Sequence, residues 1–99
     1  MNAKFVSNQS FEILPDTIAV SAPIFSEYVR LATTVPLLMA IGVNPDPRTG
    51  QPYVVPANTI QDIYVENRGN KIGLLLIEDP GIDSTIQRGH ASITVLEMI

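Results

Sequence analysis

Proline and glycine divide this chain into short segments. The 99 residues include eight prolines and six glycines, which separate about seven β-prone runs at roughly regular spacing. Both residues are unfavourable inside a helix, and proline cannot donate a hydrogen bond to a β-ladder. The spacing therefore predicts an all-β fold, a small two-sheet β-sandwich of jelly-roll-like or Ig-like type.

The strongest β signal lies in residues 59–78. The first arm is rich in β-formers, and the second is an almost continuous aliphatic run. Between the arms lies the sequence ENRGN, in which Asn67, Gly69 and Asn70 tolerate positive φ at little cost. Two β-rich runs joined by a short loop containing glycine predict a hairpin whose arms pair with each other.

Three other runs alternate with the period of two that is typical of a half-buried strand. In residues 28–34 one face carries Val29, Leu31 and Thr33. In residues 91–98 we expect Ile93 and Val95 to face inward, in a strand that lies inside the sheet system. In residues 37–43 the larger residues share one face and the smaller ones the other; the two sets are Leu37, Met39, Ile41 and Val43, and Leu38, Ala40 and Gly42.

The first residues differ from the remainder of the chain. Pro15 and Pro23 lack an N–H, so the surrounding segment suits the edge of a sheet or an extended surface arm. We divide the chain into an N-terminal arm or edge segment, residues 1–16, and a single β-sandwich domain, residues 17–99. An arm of this kind would become ordered on a partner through its apolar side chains.

Two long loops are predicted, in residues 44–52 and 79–90. The first contains three prolines and a glycine within nine residues, a composition that cannot sustain a β-ladder. Surface loops of this kind often carry recognition. Asp46 and Arg48 would be the charged tips of the first loop.

Composition excludes several functional classes. The absence of cysteine removes disulfides, cysteine–zinc sites and thiol catalysis. A net charge of −4 without a basic stripe is a poor match for nucleic acid. No run approaches the roughly 18 apolar residues of a membrane-spanning helix. We therefore expect neither nucleic acid nor a membrane as a partner.

No combination of residues indicates catalysis. His90 is the single histidine, and a triad drawn with Ser84 or Ser92 and Asp83 lacks any local motif of a nucleophile. The acidic residues of the second loop do not match the ligand spacing of a calcium loop. The sequence predicts a protein that is not an enzyme and that uses no metal or cofactor.

The chain is apolar for its size. Hydrophobic residues make up 45% of it, charged residues only 16%, and the mean hydropathy is +0.21. A domain this small buries a limited share of its surface, and surplus apolar surface is commonly covered by another subunit. We therefore expect a homo-oligomer.

The order of short motifs is more informative than any one of them. From residue 29 onward the chain reads VRLATT, IGVNP, VPANT, GNKIGLL and ITVLEM. Over residues 28–98 this succession resembles small virion proteins of tailed bacteriophages, of the head-decoration or capsid-cement kind. The resemblance implies a β-sandwich or jelly-roll-like domain that binds the outside of an icosahedral shell, commonly as a symmetric cluster of subunits.

This resemblance implies a partner, a location and an oligomeric state. The partner is the major capsid protein, the location is the capsid surface of a virion made in the host cytoplasm, and a trimer is favoured. We expect the shell contacts to include Phe5, Val6, Phe11 and Ile13. We expect self-association through the second face of residues 37–43, with Leu38 and Ala40, and further contacts through the loop residues Asp46 and Arg48.

Two other functions remain open. A tail- or fibre-associated module that binds a receptor or carbohydrate would use the loops 44–52 and 79–90 for recognition, although neither loop contains an aromatic residue for a sugar to pack on. A small enzyme of cupin-like shape would need several metal-binding histidines, which the sequence lacks.

Overall fold

The part of the chain that the structure describes forms eight β-strands. The computed structural model describes residues 3–77 and 89–98, with side chains from residue 7 to 77 and from 89 to 96. This described part is all-β, as predicted, and contains no helix. The strands are β1 (Ala3–Ile13), β2 (Ala19–Val20), β3 (Tyr28–Thr33), β4 (Leu37–Gly42), β5 (Tyr53–Val55), β6 (Thr59–Tyr64), β7 (Lys71–Leu76) and β8 (Gly89–Met98).

The strands make two four-stranded antiparallel sheets. The first sheet has the order β1-β8-β3-β6 and the second has the order β2-β7-β4-β5. The pairings within both sheets are antiparallel. Apolar side chains from both inner faces form one core between the sheets. The predicted two-sheet β-sandwich is confirmed.

The predicted hairpin in residues 59–78 is wrong. β6 pairs with β3 in the first sheet, whereas β7 pairs with β4 and β2 in the second. Residues 65–70, here called the crossover, therefore pass from one sheet to the other. Val65 is fully buried at its start, and the Val65 N–H donates to the Glu27 carbonyl at 2.7 Å. This anchoring directs the chain across the sandwich.

The inward faces predicted from alternation are largely confirmed. Val29, Leu31 and Thr33 are buried on β3, as are Ile93 and Val95 on β8. On β4 the buried side chains are Leu37 and Met39, while Ile41 is half-buried against the core. The prediction fails at Val43, which is 71% exposed because β4 ends at Gly42.

β1 and β8 place both ends of the described chain in the first sheet. β1 occupies the edge and pairs with β8 along its length, with a register shift between Phe5 and Ser7. β8 lies between β1 and β3, which confirms the prediction that the last strand is internal. The N-terminal residues 3–13 are thus a strand of the sandwich.

The loop in residues 43–52, here called the strap, lies on the outer face of the second sheet. Gly73 faces outward because its neighbours Ile72 and Leu74 are core residues. A Cβ added to Gly73 would lie 2.8 Å from the Pro45 carbonyl oxygen, so the strap packs directly on β7. Beyond this contact, the Arg48 guanidinium donates to Oδ1 and the carbonyl oxygen of Asp16 at 2.9 and 3.0 Å.

The second predicted loop, residues 79–90, lies outside the described residues except for Gly89 and His90, which begin β8.

Candidate functional site

The residues predicted to make contacts lie in separate parts of the fold. Ile13 was predicted to contact a shell, but it is 1% exposed in the core. Its side chain is directed between the sheets and has no free surface, so that prediction is wrong. Phe11 is partly buried against the same core. The side chains of Phe5 and Val6 are outside the described set.

The outer face of the second sheet carries a row of three aliphatic residues. Leu38 on β4 is directly opposite Leu75 on β7 and Val54 on β5. Exposure rises toward the sheet edge, because Leu75 is buried, Leu38 is half-buried and Val54 is 66% exposed. We call these residues the outer apolar row. It contains Leu38, which the sequence pattern selected, and Val54, which it did not.

Ala40 has a different neighbour from the one expected. It is directly opposite Gly73, the residue on which Pro45 packs. The small residues at these two positions therefore leave room for the protein's own strap. The sequence analysis placed a second subunit on this face, whereas the group that packs at Gly73 belongs to the same chain.

A cleft of about 400 Å³ lies between the strap and the crossover. The strap contributes Asn44, Asp46 and Gln51 to its lining, and Glu66 lines it from the crossover. Two aromatic residues also line the cleft, Tyr53 at the start of β5 and Tyr64 at the end of β6. None of the described residues that line this cleft is a lysine, arginine or histidine. We call it the polar cleft.

Contacts outside the polar cleft hold its strap wall. Asp46 forms a local turn, in which its Oδ1 accepts from the Arg48 N–H at 2.9 Å and its carbonyl accepts from the Thr49 N–H at 3.2 Å. The Arg48 side chain is directed away to Asp16. The strap is thus held by its own turn and by the packing of Pro45 on β7, while the ion pair on its far side is exposed and adds little stability.

Hydrogen bonds within and behind the crossover hold the opposite wall. The Asn67 N–H donates to the Val65 carbonyl at 2.8 Å, and the Gly69 N–H donates to the Ile24 carbonyl at 2.7 Å. Glu66 has a φ of 71°, a left-handed conformation that costs a non-glycine residue about 1–3 kcal/mol. The buried Val65 beside it supplies the packing that maintains this conformation.

Both tyrosines of the cleft are accessible. Tyr53 is 62% exposed and Tyr64 is 54% exposed. The Tyr64 ring also packs on Tyr28, with ring centroids 5.3 Å apart and planes tilted by 46°. The absence of aromatic residues from the loops themselves did not reveal these two tyrosines, because each lies in the strand next to a loop. The useful signal was their position immediately after the strap and immediately before the crossover.

The outer face of the first sheet is more polar. The Arg30 guanidinium donates to both carboxylate oxygens of Asp62, at 2.8 and 3.2 Å. These hydrogen bonds lower the pKa of the Asp62 carboxyl below its usual value and raise the pKa of Arg30. The two side chains are 40% and 52% exposed, so solvent screens the pair and it has little effect on stability.

A groove of about 670 Å³ lies at one end of this face, and His90, Ser92 and Ile60 are among the residues that line it. The main chain of His90 is paired with Thr34, whose Oγ1 accepts from the His90 N–H at 3.0 Å. Asp83 and Ser84, the other members of the triad considered above, lie outside the described residues.

Comparisons of the chain with protein-family models, curated proteins and solved structures found no match. Among the side chains that the structure describes, in residues 7–77 and 89–96, no three His, Asp or Glu residues come together in a way that would hold a metal ion. The same residues include no helix of the length and hydropathy needed to cross a membrane.

Proposed function

We propose that this chain is a non-enzymatic structural protein of a tailed-bacteriophage virion, of the capsid-decoration or cement type. It binds the outer surface of the capsid and stabilises the shell. The resemblance of residues 28–98 to such proteins and the two-sheet fold support this proposal. The observation that carries it is the outer apolar row, in which the exposed Val54 at the sheet edge continues the half-buried Leu38 and the buried Leu75.

The outer apolar row suits contact with a second copy of the chain. Val54 is two-thirds exposed at the edge of the sheet, next to the half-buried Leu38. Fully burying an aliphatic side chain of this size contributes about 1.5–3 kcal/mol. Because every copy carries the same row, a closed homo-oligomer buries several of these side chains at once. A trimer matches the threefold positions of an icosahedral shell.

An oligomer of this kind binds the shell through several modest contacts. Linked binding sites act at a high effective concentration, so weak contacts in each subunit combine into a stable attachment. We propose the major capsid protein as the partner, with contacts that include Phe11 and the N-terminal Phe5 and Val6 of the edge strand β1. The protein acts on the virion surface, with neither nucleic acid nor a membrane as a partner.

The test begins with the mass of the purified protein by size-exclusion chromatography with light scattering, at two concentrations. We expect about three times the 10.8 kDa of one chain, and monomers for Val54→Lys. Ile60→Lys is the matched control, because Ile60 is 70% exposed on the other sheet. A wild-type monomer at both concentrations, or equal masses for the two variants, would contradict self-association through the row.

The second step is co-sedimentation with shells assembled from the major capsid protein of the phage that encodes this chain. Wild-type protein is expected in the pellet with the shells, and heat-treated shells are expected to retain their integrity longer when it is bound. Protein that stays in the supernatant at all ratios would refute the decoration function, whatever its oligomeric state.

A further inference from the structure

The polar cleft combines hydrogen-bonding side chains with accessible aromatic rings. The amides of Asn44 and Gln51 each offer donors and an acceptor, whereas the carboxylates of Asp46 and Glu66 offer acceptors only. Tyr53 adds an exposed aromatic ring and a hydroxyl. A ligand that satisfies this lining must donate and accept hydrogen bonds and must also present an apolar face.

The charge of the lining narrows the class of ligand further. With two carboxylates and no basic residue among its described lining residues, the cleft disfavours phosphate, sulfate or carboxylate ligands, because their charge would be uncompensated. A small cation would engage the carboxylates but leave the amide N–H donors without acceptors. A neutral polyol meets both requirements.

We propose that the polar cleft is a binding site for a short neutral saccharide. Sugar hydroxyls both donate and accept hydrogen bonds, and vicinal hydroxyls match the paired atoms of an amide or a carboxylate. The C–H face of the sugar ring packs on an exposed aromatic ring, here that of Tyr53, and Tyr64 borders the same space. The volume of about 400 Å³ falls within the usual range of about 300–1,000 Å³ for ligand sites.

The site is organised before a ligand binds. The local turn at Asp46 and the packing of Pro45 on Gly73 hold the strap, while buried Val65 anchors the crossover. Walls held from outside the cleft reduce the ordering cost of binding. Successive strand residues point to opposite faces. The Tyr53 ring and the exposed Val54 of the outer apolar row therefore lie on opposite faces of this edge strand.

A glycan array that carries neutral, sialylated and sulfated oligosaccharides tests the proposal with the whole protein. The strongest neutral oligosaccharide is then titrated in solution by tyrosine fluorescence, which is informative because the chain has three tyrosines and no tryptophan. We expect saturable binding of neutral glycans and no preference for acidic ones. Spermidine serves as the cationic competitor and is expected not to displace the sugar.

Two variants and one control assign the binding to the cleft. Tyr53→Ala is expected to lower the affinity at least about tenfold, since tenfold corresponds to about 1.4 kcal/mol and aromatic packing contributes about that much. Glu66→Gln keeps the shape but removes a charged acceptor, and an affinity loss of about threefold to tenfold is expected. Phe25→Ala removes an equally exposed ring (69%) that does not line the cleft, and should bind as the wild type does.

Three results would overturn the proposal. These are no binding of any neutral glycan, tighter binding of acidic glycans or spermidine, and equal affinity of Tyr53→Ala and the wild type. Circular dichroism of each variant confirms that the fold is retained. The mass measurement described above is independent of these titrations, so failure of saccharide binding and failure of self-association are distinguishable.

Discussion

The contact between the strap and β7 depends on the absence of a side chain at residue 73. An alanine Cβ at Gly73 would lie 2.8 Å from the Pro45 carbonyl oxygen and 3.3 Å from the Pro45 Cβ. Ordinary C···O contacts begin at about 3.3 Å, so the strap backbone would have to move by roughly 0.5 Å. Both partners are backbone groups or a ring, which cannot move aside as a flexible side chain does.

Two opposing effects determine the expected change in stability for Gly73→Ala. Overpacking costs about 1–3 kcal/mol, while the reduced freedom of the unfolded chain returns about 0.4–1 kcal/mol. The net expectation is a destabilisation of about 1–2 kcal/mol. For a domain of this size each kcal/mol lowers Tm by about 4–8 °C, so we expect a decrease of roughly 5–15 °C by differential scanning calorimetry.

Gly42→Ala is the matched control in the neighbouring strand. A Cβ there would meet nothing within 4 Å, and Gly42 is not among the residues with positive φ. Its Tm should be unchanged or slightly higher, by the same effect on the unfolded chain. If Gly73→Ala melted at or above the wild-type temperature while Gly42→Ala behaved as expected, the strap would not rest on β7 and the reasoning would be refuted.

Three further predictions concern the buried hydroxyl, the core and the ion pair. The Ser21 Oγ accepts a hydrogen bond from the Ile72 N–H at 2.9 Å in the buried interior. Ser21→Ala should therefore lower the free energy of unfolding, measured in urea, by about 1–3 kcal/mol. An unchanged unfolding midpoint would argue against that bond. Ile13→Ala should lower the free energy of unfolding by about 2–5 kcal/mol, because Ile13 is a core residue. Truncation of a residue that served only as a surface contact would not have this effect. NMR titration should give Asp62 a pKa below its ordinary value of about 3.9, and Arg30→Gln should raise it, since the pKa is lowered mainly by the hydrogen bonds from Arg30. The stabilisation from Asp62 is then present above the unfolded pKa and is lost as the pH falls through the lower folded pKa.

Alternation was sufficient to predict which residues of β3 and β8 face the core. The inward positions Val29, Leu31, Ile93 and Val95 follow from the period of two, because each of these strands has one face in the core and a more polar face outside. The same reasoning extended β4 by one residue too many at Val43. Local pattern alone does not specify where a strand stops pairing.

The strap and the polar cleft depend on contacts between distant segments, which is why the sequence did not predict them. Arg48 and Asp16 are separated by 32 positions, and the contact between Pro45 and Gly73 joins the strap to strand β7. The composition of residues 44–52 predicted a surface loop correctly. The path of this loop across β7 depends on Gly73. In the sequence, Gly73 was identified only as one residue of an aliphatic strand.

The two arms of the misplaced hairpin lie in different environments in the structure. β6 alternates between half-buried and exposed residues, whereas β7 is buried continuously from Ile72 to Leu76. Two strands that pair in one sheet share the same two environments, so an alternating strand and a continuously apolar strand are poor partners when one sheet face is solvated. A strand with apolar residues on both faces must be covered by other parts of the protein on both faces. Here the core covers one face of β7 and the strap packs on the other at Gly73. The contrast in burial between the two arms is thus explained by their places in two different sheets, while the glycine-containing loop between them was compatible with either connection.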